Sequence, residues 1–154
     1  MLSFRAVPLQ DEPARSLVQA MREEIRALYE GVFLDSPDMP SAGPQELGPP
    51  RGTFLVGFDE ADMPVCCGGL KDLGTGVCEI KRMYVVPAAR RAGRAGELLA
   101  ALEDAARELG YDVARLDTGP RQPHAERIYR AAGYEPIGNF NGNPVASFFG
   151  AKRL

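Results

Sequence analysis

The chain changes its hydrophobic period sharply at Pro87, and that change does more than any other feature to limit how it can fold. Cys78 to Val86 gathers Ile80, Met83, Tyr84, Val85 and Val86, the β-branched and aromatic weight of a strand. Beyond Pro87 the apolar positions are Ala95, Leu98, Leu99, Leu102, Ala106 and Leu109, one stripe of an amphipathic helix, with Glu97, Glu103, Asp104, Arg107 and Glu108 off it. Gly110 is placed to end that helix. Between strand and helix lies RRAGRAG, residues 90–96. The first turn of a helix leaves backbone N–H groups unpaired and carries the positive end of the dipole, so this junction favours an anion. Gly93 and Ala95 keep side-chain bulk away from a phosphate approaching the main chain, and Arg90, Arg91 and Arg94 add positive charge. A P-loop would need Gly-Lys-Ser/Thr and a dinucleotide fold GxGxxG; neither is present. The competing reading is a helix start whose arginines hold a neighbouring acidic surface.

The remaining segments predict a mixed α/β fold. Ser3 to Val7 alternates like an edge strand, and Ala14, Leu17, Val18, Met21, Ile25 and Leu28 have helical spacing, bracketed by Pro13 and Gly31. Asp35 to Gly52 is rich in Pro and Gly and reads as a long loop, either a tolerated insertion or a lid. Thr53 to Phe58 and Val65 to Leu70 form a hairpin that continues into the Cys78 strand as an antiparallel meander. Val113 to Leu116 is a strand, Pro123 to Ala132 a helix, and Tyr134 to Ile137 and Val145 to Gly150 are strands separated by NFNGNP. The order is β-α-β-β-β-α-β-α-β-β, with six to seven strands in one mostly antiparallel sheet flanked by helices. A length of 154 residues with 45% apolar content predicts one domain, 1–154.

Two blocks carry a resemblance. VVPAARRAGRAGELL resembles the acetyl-CoA signature of the GNAT superfamily of N-acetyltransferases, Arg/Gln-x-x-Gly-x-Gly/Ala after Val-x-Pro and before Leu-Leu. Arg90, Gly93 and Ala95 take the patterned positions, while Arg91 stands where many members have Gly. Downstream, QPHAERIYRAAGY resembles the family's Asn-x-x-Ala-x-x-x-Tyr-x-x-x-Gly-Phe helix, with Gln122 at the Asn position and Tyr129 at the Tyr. The resemblance covers Cys78 to Ile137. It implies a GNAT-like fold in which residues 90–96, Arg90, Arg91, Ala92, Gly93, Arg94, Ala95 and Gly96, hold the pyrophosphate of acetyl-CoA. Gln122 and Tyr129 would meet the pantetheine arm and the sulfur, and backbone N–H groups around a bulge at Met83, Tyr84 and Val85 would face the reacting carbonyl. The implied activity is direct transfer of acetyl from acetyl-CoA to a primary amine in a ternary complex. The implied catalytic residues are Tyr129, as acid or anchor at the sulfur, and Glu79, as base directly or through water. For Glu79 the alternative is an exposed strand glutamate paired with Lys81 or Arg82; for the whole chain it is a non-catalytic CoA-binding module, or a nucleotide-binding domain using the same helix start.

His124, the only histidine, sits in a first helical turn and reads as solvated, and Cys66, Cys67 and Cys78 read as small core hydrophobes rather than a disulfide framework or zinc set. No metal is implied. A net charge of −3 argues against a nucleic-acid partner, and no apolar run is long enough for a membrane span. The N-terminus shows no secretory h-region, which predicts a cytoplasmic protein whose partner is a small-molecule or peptide amine, with a homodimer compatible with the sequence.

Overall fold

The computed structural model describes residues 1–154. Its elements are β1 (Ser3–Ala6), α1 (Ala14–Leu28), β2 (Thr53–Phe58), β3 (Pro64–Gly74), β4 (Val77–Val85), α2 (Arg94–Glu108), β5 (Val113–Thr118), α3 (Pro123–Ala131), β6 (Glu135–Pro136) and β7 (Phe148–Arg153), in the predicted order. A 3-10 turn at Pro87–Ala89 separates β4 from α2. The strands form one seven-stranded sheet ordered β1-β2-β3-β4-β5-β7-β6. Hairpin connections make β2, β3 and β4 an antiparallel meander, whereas the α2 crossover makes β4 and β5 parallel. No helix is long and apolar enough to cross a membrane.

The sheet is covered on both faces. α1 and the loop after it bury one face through Leu17, Val18, Met21, Ala42 and Leu47 against Phe54, Val56 and Tyr84. On the other, Leu98, Leu99 and Leu102 of α2 and Tyr129 of α3 pack on Cys66, Leu70, Cys78, Ile80 and Leu116. The 35–52 segment is therefore a loop, as expected, but it is anchored: Leu47 is 1% exposed.

Two local features open the centre of this sheet. Cys67 pairs with Tyr84 and Gly69 with Lys81, so Arg82 and Met83 both stand opposite Gly68, a bulge on β4. Arg82 lies in the left-handed region at φ +60. Gly68 accommodates the bulge because a Cβ there would meet Leu102 Cδ1 at 2.9 Å and Met83 Cγ at 3.2 Å. The parallel ladder between β4 and β5 is confined to Val77–Glu79 and Val113–Arg115; past it, β5 pairs only with β7. The two central strands thus part where the bulge begins.

The last strand starts three residues later than the Val145 expected from sequence. Asn143 Oδ1 accepts from the N–H of Val145 at 2.9 Å and of Ala146 at 3.3 Å, holding that backbone in a turn, and the ladder resumes at Phe148.

Candidate active site

At the parting of β4 and β5 the surface opens into a cleft walled by the α1 C-terminal half, the β4 bulge, the end of β5 and the start of α3. Tyr129 reaches it from α3, on the inward stripe of that helix. The residue is 8% exposed, its ring meets Tyr134 edge-on at 6.2 Å, and its hydroxyl donates to Met83 Sδ at 3.7 Å. Burial pushes the phenol well above its ordinary value of 10.0, and the negative charge of Asp117 adds to that shift. Tyr129 is consequently a neutral proton donor throughout the physiological range, held beside the bulge.

Glu79 sits on β4 just before the strands part and is fully buried rather than exposed, yet it is paired with Lys81 as the alternative reading expected. Its Oε2 accepts from Lys81 Nζ at 3.1 Å and Asn141 Nδ2 at 2.8 Å, while Oε1 has no hydrogen-bond partner. Asn141 Nδ2 also donates to Asp117 Oδ2 at 2.7 Å, and Asn143 Nδ2 to the same oxygen at 3.1 Å. Asp117, not Glu79, lines the cleft. The two carboxylates are joined through one side-chain amide from the loop before β7.

The start of α2, the phosphate-binding turn expected from sequence, contributes no residue to the lining of this cleft and stands beside it as a separate feature of the same sheet face. Gly93 caps the helix at φ +74, and the first intrahelical bond runs from Glu97 N–H to Gly93 O, leaving the N–H groups of Arg94, Ala95 and Gly96 ahead of the helical ladder. No side chain caps them. A Cβ built at Gly93 or Gly96 meets nothing within 4 Å, so this turn is open to an approaching group. Arg91 and Ala92 are exposed beside it, Arg91 also at positive φ. These residues fit a phosphate group through backbone donors.

The arginines behave differently from one another. Arg90 is committed to the fold: Nη2 grips Glu24 Oε1 and Oε2 at 2.8 and 3.0 Å, and Nε donates to the Val85 carbonyl at 2.8 Å. Arg94 pairs with Glu97 at 2.9 Å within its own helix. Arg91 is the member of the cluster left facing solvent. Gln122, at the N-cap of α3, lines the cleft with Oε1 accepting from the Tyr29 hydroxyl at 3.0 Å. Met83 lies in the bulge against Tyr129, and Tyr84 and Val85 continue β4 as buried residues.

His124 is exposed. All three thiols are free and buried, and burial raises Cys66 to about 11 and Cys78 to about 12, far from a thiolate nucleophile. The sequence reading missed Arg82, Asp117, Asn141 and Asn143 as parts of the site. NFNGNP was legible as an amide-rich turn, but the partners of Asn141 lie 62 and 24 residues away.

The model of the Acetyltransferase (GNAT) family matches residues 18–134. An IAA acetyltransferase of Azospirillum brasilense is 32% identical over 94% of this chain and 92% of its own length. An uncharacterized N-acetyltransferase of Schizosaccharomyces pombe is 31% identical over 66% of this chain, and the match spans only 63% of that protein. Among solved structures, a Klebsiella pneumoniae protein provisionally described as an acyl-CoA N-acyltransferase superposes with a TM-score of 0.80 at 27% identity, over 100% of this chain and 98% of that one. A GNAT family acetyltransferase from Elizabethkingia anophelis, solved with acetyl-CoA bound, shares the fold at a TM-score of 0.69 and 15% identity, over 99% and 98% of the two chains.

Proposed function

The chain belongs to the GNAT family of acetyltransferases, and from that premise we propose that it transfers the acetyl group of acetyl-CoA to a primary amine held in the same complex. The observation that carries this reading is that a protonated, buried phenol on α3 and an open helix start at α2 lie over the same face of a sheet whose central strands part. Acetyl-CoA, when bound, supplies an activated acyl group. The N–H groups of Arg94, Ala95 and Gly96 hold its pyrophosphate, with Gly93 clearing the approach and Arg91 adding charge. Arg90 contributes by fixing the β4–α2 connection through Glu24 and Val85 O.

In the reacting complex the bulged backbone at Met83–Val85 offers donors toward the acyl oxygen, and Tyr129 Oη delivers a proton to the departing sulfur. The proton lost by the amine passes through water to Glu79, whose carboxylate Asn141 ties to Asp117 by donating to both. Because Asp117 lines the cleft and Glu79 is enclosed, Glu79 acts by relay rather than by direct contact.

The test is release of free CoA thiol from acetyl-CoA against an amine panel, run on the wild type and on Tyr129→Phe. The variant should lower kcat by roughly 10²-fold, the usual contribution of one general acid, with little change in KM. An unchanged kcat would remove the phenol from proton transfer, and no thiol release with any amine would leave only the CoA-binding module.

A further inference from the structure

The cleft contains a charge that the proposed chemistry leaves unused. Arg82 lines it from the β4 bulge with a side chain only 6% exposed, yet its Nε and Nη2 atoms find no hydrogen-bond partner. Its nearest carboxylate, Asp35, is 3.8 Å from Nη2, beyond hydrogen-bond range, and is itself 64% exposed and shared with Arg22 at 3.2 Å. Burying a guanidinium with unmet donors is costly, and a fold that contained Arg82 only for structure would pair it. The strained φ of +60 at this residue is a second cost at the same position. Arg22 and Asp35 meet outside the cleft lining, so on its β4 wall the cleft is left with the Arg82 guanidinium, while the β5 wall presents the carboxylate of Asp117. Between them the cleft is lined by Met21, Ile25, Leu34 and Met39.

Resting on the acetyltransferase reading above, we infer that the amine acceptor is an amino acid or a close analogue, whose carboxylate is bound by the Arg82 guanidinium while its amine lies toward Asp117. A planar guanidinium matches a carboxylate with two parallel hydrogen bonds, and Nε with Nη2 is one of its two forks. The two free donors of Arg82 are that pair. The apolar stretch between the charged walls suits an uncharged aliphatic or aromatic side chain.

The experiment compares L-leucine, L-methionine and L-phenylalanine with their carboxamides, which keep the amine and side chain and lose only the carboxylate. Binding to the CoA-loaded protein is measured by calorimetry and turnover by thiol release, on the wild type, Arg82→Gln and Arg82→Lys. The free acids should bind and react at least about 30-fold better than the amides, as expected when a buried charge loses its partner. Arg82→Gln should erase that preference, Arg82→Lys should restore part of it, and CoA affinity should stay constant in both. Amides that match the acids in the wild type would overturn the inference without needing any variant to fold, as would a preference that survives Arg82→Gln. Acids that bind through Arg82 yet release no thiol would uphold the carboxylate site and remove the acetyltransferase reading. Acids and amides that both fail to bind would overturn the site, and turnover of other amines would then leave the enzyme reading intact.

Discussion

Residue types and residue destinations separate cleanly at this site. The glutamate on β4 was legible from its position before the signature, but its enclosure was not, because Asn141 comes to it from the loop before β7, 62 residues away, and ties it to Asp117 of β5. Arg90 shows the same split: its place in the pattern is a matter of spacing, while its commitment to Glu24 depends on how α1 lies against β4. Arg82 reads in sequence as one more basic residue of a strand, and only the bulge turns it into the cleft. At this scale the prediction concerns Glu79. Glu79→Gln keeps volume and hydrogen bonding to Lys81 or Asn141 but cannot take up a proton. It should lower kcat by about 10²-fold or more and flatten the acidic limb of the pH–rate profile, leaving acetyl-CoA affinity unchanged by calorimetry. A limb that persists would assign the base to Asp117 or to bulk solvent.

Elements were legible wherever the hydrophobic period was strong. α1, β2, β4 and α3 fall within a few residues of their sequence positions because each buries one clear stripe. The misplaced element is β7, where the side chain of Asn143 competes with the ladder for two backbone donors. The helix start at Arg94 yields a prediction in which stability and binding move in opposite directions. Gly96 is exposed and helical, with open space where a Cβ would go. Gly96→Glu therefore improves helix propensity by about 0.5–1 kcal/mol and places an anion favourably at the positive end of the dipole. Thermal stability should hold or rise. Acetyl-CoA affinity should fall more than about tenfold, since the new carboxylate opposes phosphate at the same amides. Undiminished affinity by calorimetry would move the pyrophosphate elsewhere.

At the level of the whole molecule, one sheet holds two cores, and both exclude water from groups that ionise in alkali. Cys66 and Cys78 are raised from 9.0 to about 11 and about 12, and Cys67 and Tyr134 are raised further by burial. Each folded value lies above the unfolded one, so the stabilising contribution is complete below about pH 9 and is lost as pH rises toward 11 and 12, where the unfolded chain has already released protons that the fold retains. Urea midpoints should be level from pH 7 to 8 and fall steeply above 9, by up to about 1.4 kcal/mol per pH unit for each such group. A Cys66→Ala, Cys78→Ala double variant should flatten the decline; an equally steep one would place its origin in Cys67 and the tyrosines. The chain by itself determined the element order, the anion-favouring helix start and the family, because these rest on local period and spacing, which act between residues close in sequence. Only the tertiary structure decided where β4 and β5 part, which carboxylate faces the cleft, and that Nε and Nη2 of Arg82 are left without a hydrogen-bond partner there. Those outcomes depend on a one-residue bulge opposite Gly68 and on side chains brought together from distant segments, where packing and desolvation, not sequence period, determine the arrangement.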